Sequence, residues 1–271
     1  MPFVAILGAG PLGGALAYAL ANRARFDEVR LVDPDKTIAA GKALDILQSG
    51  PVDGYSTSVT GHASLDAAQG AWVIVLADPV QPEPLAHLKE LHRRSPGATI
   101  VCADAAHQLV LARAVATGAV PPDKLIGSAP AAAAGAARAL LALELDTSPA
   151  AVHVGVASDD GFGPCRIDWT TTTFDGEPAE ASLRRERRAR MDERMAALWP
   201  PGPLTLAAAG ARVAEAAWFG TRRALPCWWV TDGGAGAPGV HKVRFAAGGR
   251  ATAVSASGAA GAALVAARAG R

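Results

Sequence analysis

The chain has 271 residues, 50% hydrophobic and 19% charged, and Lys+Arg 26 against Asp+Glu 25 leaves a formal net charge of +1. That composition excludes a disordered chain, and the even charge excludes a dedicated nucleic-acid or anionic-membrane binder. Cys102, Cys165 and Cys227 are scattered and the six histidines dispersed, which points to no disulfide framework, no metal and a reduced, cytoplasmic setting.

Residues 1–22 carry no charged side chain. They read neither as a signal peptide nor as a membrane span, because no basic residue precedes them and Gly8, Gly10, Pro11, Gly13 and Gly14 sit at their centre. Short, continuously apolar runs at 3–7, 29–32, 72–76 and 99–102 predict strands buried on both faces. Helical patterns at 12–21, 38–47, 85–94 and 109–117 alternate with them, and a further strand fits at 56–60. This alternation predicts a parallel sheet covered by helices.

Beyond Pro121 and Pro122 the reading places a strand at 125–126 and a long helix of small residues at 131–145. Strands follow at 152–157 and 167–174, then helices at 180–198 and 206–221. Runs at 227–231, 240–245 and 252–254 suggest an antiparallel meander, and the uncharged stretch 251–267 is too weakly apolar to span a membrane. The fold class is α/β: a Rossmann-type doubly wound parallel sheet over residues 1–128, followed by a smaller α+β domain over 129–271.

The chemistry signal is Gly8-Ala9-Gly10-Pro11-Leu12-Gly13, a G-x-G-x-x-G that follows the first strand and opens a helix. Asp33 ends the second strand, twenty residues after Gly13. Together these form a dinucleotide-binding fingerprint. Gly8 permits the sharp turn, Gly10 lets a diphosphate approach the backbone, and Gly13 lets the helix pack on the strand. Pro11 at the helix start gives up an N–H that has no intrahelical partner. Asp33 accepts from ribose hydroxyls and repels a 2′-phosphate, and Pro34 and Asp35 follow where NADP would want an arginine. NAD is therefore expected rather than NADP.

These residues resemble the lactate and malate dehydrogenases. The carriers are VAILGAGPLGGALAYALA, VRLVDPDKTIAAGKALDIL, GAWVIVLADP and PPDKLIG. The resemblance places Leu76, Ala77 and Ala103 beside the cofactor with the glycine turn, Asp33 and Pro34, and implies a homo-oligomer acting on a small molecule. It also exposes departures. The arginine-bearing loop after the fourth strand is shortened to Asp78-Pro79-Val80-Gln81-Pro82-Glu83-Pro84, with no Arg from Leu31 to Glu90. The family's substrate asparagine falls near Asp104. The aspartate that orients its catalytic histidine and the arginine that grips substrate fall on Ala133 and Ala136. The histidine itself falls on Asp160, in the turn Ser158-Asp159-Asp160-Gly161-Phe162.

An ordinary aspartate titrates near pH ~4 and holds almost no proton at pH 7, so ordinary 2-oxo acid reduction is not expected. The candidates left for proton transfer are His107 and Asp160. His107 otherwise reads as a solvent-facing histidine at a helix start, and Asp104 as a helix cap. Asp159 and Asp160 otherwise read as a polar turn. The expected function is that of an NAD-binding oxidoreductase-like protein whose ligand is less anionic than an oxo acid. The alternative is a pseudoenzyme using the dinucleotide for structure, sensing or partner recruitment. Arg184-Arg185-Glu186-Arg187-Arg188 reads as a solvated helix face. Trp228 and Trp229 should point one inward and one outward from a strand.

Overall fold

The computed structural model describes residues 2–78, 84–159, 161–230, 238–248 and 250–253. Six parallel strands stand in the order β6-β5-β4-β1-β2-β3: β1 Phe3–Leu7, β2 Glu28–Val32, β3 Ser58–His62, β4 Val73–Leu76, β5 Thr99–Cys102 and β6 Leu125–Gly127. The residues of β1, β4, β5 and β6 are all buried, as continuous apolar runs require when helices cover both faces. The order reverses between β1 and β4, which pair in register from Val4 with Val73 to Leu7 with Leu76. Open α/β sheets bind ligands in the crevice at such a switch point, beyond the carboxyl ends of the strands.

The helices α1 Pro11–Arg23, α2 Lys36–Asp53, α3 Pro84–Arg94 and α4 Gln108–Thr117 join these strands. α2 runs past its predicted end: it continues through Pro51, which gives up one intrahelical hydrogen bond in the last turn, and closes at Gly54 with φ +81°. After β6 come α5 Ala129–Glu144, β7 Val152–Ala157, β8 Arg166–Phe174 and the two-residue β9 Glu177–Pro178. The predicted helix at 180–198 is two, α6 Ala179–Ser182 and α7 Arg185–Ala197. Leu183 breaks them apart by turning extended and burying its side chain.

α8 Pro203–Phe219 leads to β10 Leu225–Val230, β11 Pro238–Ala246 and β12 Arg250–Ala253. These three form the expected antiparallel meander, and β10 also pairs with β6 through Trp228 and Gly127. The meander therefore extends the first sheet to nine strands, while β7-β8-β9 form a separate sheet. Residue 231 and residues 254–267, which carry the ends of the predicted β10 and β12 and the uncharged tail, lie outside the described residues. The two tryptophans are not split between core and solvent: Trp228 is fully buried and Trp229 nearly so. Trp228 packs against Phe162 and Trp199, and Trp229 Nε1 donates to the Pro122 carbonyl at 3.0 Å. A strand interior to a sheet covered on both faces has no outward side.

α5 links two cores. Ala129 and Ala132 pack into the main cluster, and Ala133 and Ala137 into a second one with Val154, Ile167, Met191 and Met195. Arg184, Arg185, Glu186 and Arg187 are exposed as expected, while Arg188 is half-buried; the acids that meet the arginines lie on other helices, Arg187 reaching Glu144 at 3.1 Å and Arg188 reaching Glu180 at 2.6 Å. Among the described residues, no helix is long and apolar enough to cross a membrane.

Candidate dinucleotide site

β1 ends at Leu7 and the chain turns at Gly8, whose φ of +93° is the left-handed region that suits glycine. The Gly8 N–H donates to the Val32 carbonyl at 2.9 Å, tying the turn to β2. Gly10 caps α1 with Pro11 in its first turn. A Cβ on Gly13 would collide with the Gly8 carbonyl, so the third glycine is what lets α1 sit down on the turn. Asp33, half-buried at the end of β2, accepts from the Ala9 N–H at 2.8 Å and the Asp35 N–H at 2.9 Å. The expected glycine turn and its acid thus meet across two adjacent strands.

One side chain in this cradle reads from sequence only as the start of the shortened loop. Asp78 leaves the end of β4 and lays its carboxylate on the first turn of α1. Gly13 N–H donates to Oδ2 at 2.9 Å, and Leu12 N–H to Oδ1 at 3.3 Å. These are amides without intrahelical partners, at the positive end of the helix dipole. A Cβ on Gly10 would lie 2.5 Å from Asp78 Oδ1, and one on Gly8 2.7 Å from Asp78 Cβ. The available signal was an acid directly after a strand flanking the switch point; strand pairing alone reveals which strand that is.

Leu76, Ala77 and Ala103 are buried, not surface-lining. The Ala77 N–H bonds the Leu7 carbonyl at 2.9 Å and the Ala103 N–H the Leu76 carbonyl at 2.8 Å, so they form the floor at the carboxyl ends of β1, β4 and β5. Pro34 is exposed. Asp104 caps the turn after β5, accepting from the Ala106 N–H at 2.8 Å, as read. His107 does not face solvent: it is 4% exposed. Its Nδ1 accepts from the Asp104 N–H at 3.3 Å, which leaves the ring proton on Nε2. That atom meets no full hydrogen-bond geometry and faces the Asp78 main chain. Burial pushes the His107 pKa down, against the pull of Asp104 and Asp78. Ser128 Oγ, just beyond β6, is buried without a partner.

Asp160 lies outside the described residues. Asp159 is exposed and held by Arg166 at 2.8 Å, which keeps its carboxyl below the usual range. Ala133 is fully buried and Ala136 half-buried. Cations enter from elsewhere. A cavity of about 1140 Å³ between α5, α8, β7, β10 and β11 is lined by Arg138, Arg212, Arg222, Arg223, Lys242 and Arg244, with Asp168 its one acid among the described lining residues. Burial, then Lys242 and Arg138, hold the His153 pKa down there. The cavity reaches Arg23 in the last turn of α1, the end opposite the glycine turn. These side chains come from α1, α5, α8, β11 and the turn before β10.

Residues 3–85 match the family model described as lactate/malate dehydrogenase, NAD binding domain. The chain is 32% identical over 207 residues to the malate dehydrogenase of Thermomicrobium roseum, covering 70% of this chain and 66% of that one. This chain belongs to the lactate/malate dehydrogenase family. It is 28% identical over 173 residues to the malate dehydrogenase of Neorickettsia sennetsu, covering 58% of this chain and 55% of that one. These two alignments thus span less than two thirds of each relative's length. The malate dehydrogenase structure from Salinibacter ruber superposes with a TM-score of 0.79 at 24% identity, covering 97% of this chain and 93% of that one. The Cryptosporidium parvum lactate dehydrogenase complexed with lactic acid and nicotinamide adenine dinucleotide superposes at 0.80 with 18% identity, covering 93% and 90%.

NAD is the cofactor of this lactate/malate dehydrogenase-type domain. The glycine turn, its helix N-terminus and Asp33 fit the adenosine diphosphate half, and the buried His107 Nε2 and unpartnered Ser128 Oγ lie along the same sheet edge. The one misfit is the Asp78 carboxylate on the phosphate-binding amides.

Proposed function

We propose that the chain is an NAD-binding oxidoreductase-type protein that does not reduce 2-oxo acids as lactate and malate dehydrogenases do. The carrying observation is the inner face of α5. Ala133 is fully buried in an apolar cluster with Leu141, Val154 and Ile167, so this position holds no carboxylate to orient a proton donor. Ala136 offers no guanidinium for a substrate carboxylate. Such a charge-assisted anchor is worth about 1.5–3 kcal/mol.

Bound NAD would accept or donate a hydride. The chain's own parts in this reading are the Gly8–Gly13 turn and Asp33, which hold the adenosine half, and the buried floor of Leu76, Ala77 and Ala103, which excludes water beneath it. His107 favours retaining some catalysis over a purely binding role: its ring lies at the sheet edge beside the cradle and is held by Asp104. A carbonyl oxygen reaching its Nε2 would find a donor.

Two assays test this. Titration of NADH against tryptophan emission should saturate, and no saturable signal at millimolar NADH refutes the cofactor reading. NADH oxidation should then be followed with oxaloacetate, pyruvate and a panel of neutral aldehydes and ketones. Robust turnover of oxaloacetate or pyruvate refutes the proposal. Turnover of a neutral carbonyl that survives His107→Ala removes His107 as the donor, and failure of the whole panel leaves the binding role as the function.

A further inference from the structure

This inference rests on the NAD-binding reading and concerns the side chain already in the cradle. Asp78 brings a negative charge to the place where the fold presents N–H groups to a negative ligand. Both its oxygens are engaged, one by Leu12 N–H and one by Gly13 N–H. The space that Gly8, Gly10 and Gly13 keep open by lacking Cβ atoms is occupied by this carboxylate: a Cβ at any of the three would lie within 3 Å of its atoms. A diphosphate needs the same amides, the same space and the same sign of charge. The two anions therefore exclude each other, and the helix dipole that would favour the cofactor already stabilises the protein's own carboxylate.

We propose that Asp78 is an internal competitor for the diphosphate cradle, setting the affinity of the site and shifting its preference toward adenosine ligands without phosphate there. The backbone around it is anchored, because Ala77 N–H bonds the Leu7 carbonyl and the His107 ring lies against the Asp78 main chain. Making room for the cofactor thus falls to the Asp78 side chain, which is only half-buried. The ribose end is independent of this competition. Asp33 is positioned by Ala9 and Asp35, not by Asp78, so a ligand that uses Asp33 alone does not meet the competing charge.

The experiment measures Kd by calorimetry for NADH, ADP-ribose and adenosine on the wild-type chain, Asp78→Ala and Asp78→Asn. Asp78→Ala empties the cradle. Asp78→Asn removes the charge but keeps one acceptor oxygen for one of the two amides, and so retains part of the helix cap that the alanine variant loses. The ratio of adenosine Kd to NADH Kd should rise about tenfold or more in Asp78→Ala and by a smaller factor in Asp78→Asn, with ADP-ribose following NADH. A general loss of stability would not move that ratio. An unchanged ratio in both variants, with wild type binding NADH, overturns the proposal and leaves the NAD reading standing. Absence of saturable NADH and ADP-ribose binding in all three proteins removes the NAD reading, and this one with it. Saturable NADH binding by the variants but not by wild type supports both.

Discussion

Replacing Gly13 with alanine should separate the steric role of the glycine turn from its chemical one. The new Cβ would overlap the Gly8 carbonyl and lie 2.8 Å from Asp78 Oδ2. The carboxylate can swing aside; the Gly8 carbonyl cannot, since the Gly8 N–H is fixed to Val32. So α1 must lift from β1, and α1 also packs on α2 and α8. Overpacking of this kind costs about 1–3 kcal/mol, and the backbone clash puts it at the upper end. Helix propensity returns about 1 kcal/mol, leaving a net loss of about 2 kcal/mol. For a chain of this size that lowers Tm by about 4–8 °C. Gly41→Ala is the control: it lies within α2, and its Cβ would meet nothing within 4 Å. There the propensity gain of up to ~1 kcal/mol stands alone, and Tm should rise by about 2–4 °C. Thermal unfolding followed by circular dichroism reads both, and an unchanged or raised Tm in Gly13→Ala would show that α1 does not rest on the turn as described.

Asp33→Ser should weaken NADH binding about tenfold or more through lost charge-assisted hydrogen bonds, and should narrow the gap between NADH and NADPH; an unaltered NADH Kd would place the ribose elsewhere. All three cysteines are buried, and burial raises their thiol pKa, to about 12 for Cys102 and Cys165. A thiol reagent at pH 8 should therefore label none in the native protein and three after denaturation, and fast native labelling would contradict the packing. His107 and His153 have lowered pKa values, His107 chiefly through burial and His153 through burial reinforced by nearby cations. The unfolded chain thus binds more protons below the ordinary histidine range near pH 6.5, and stability should rise with pH from about 5 to 7. The His107→Gln/His153→Gln double variant should flatten that rise in denaturant titrations, and an identical slope would mean both rings titrate normally in the fold.

The run of apolar residues in β1, β4 and β5 was enough to foresee a parallel sheet, because strands buried on both faces leave no other pattern. The glycine turn and Asp33 were equally visible, since their spacing is set by the lengths of one strand and one helix. Even the role of Asp104 as a cap followed from local chemistry. What the chain order could not contain was proximity between distant segments. Asp78 reaches residues 12 and 13 because β4, although fourth in sequence, pairs with β1. His107 is buried because the turn after β5 sets its ring against the Asp78 main chain. The seven arginines and lysines of the large cavity come from four elements, α1, α5, α8 and β11, and from the turn before β10, none of which is unusually basic by itself apart from that turn. Local periodicity specifies which face of an element is apolar; only the packed sheet decides which charges end up facing one another, and here that choice sets a carboxylate against the phosphate the cradle was shaped to receive.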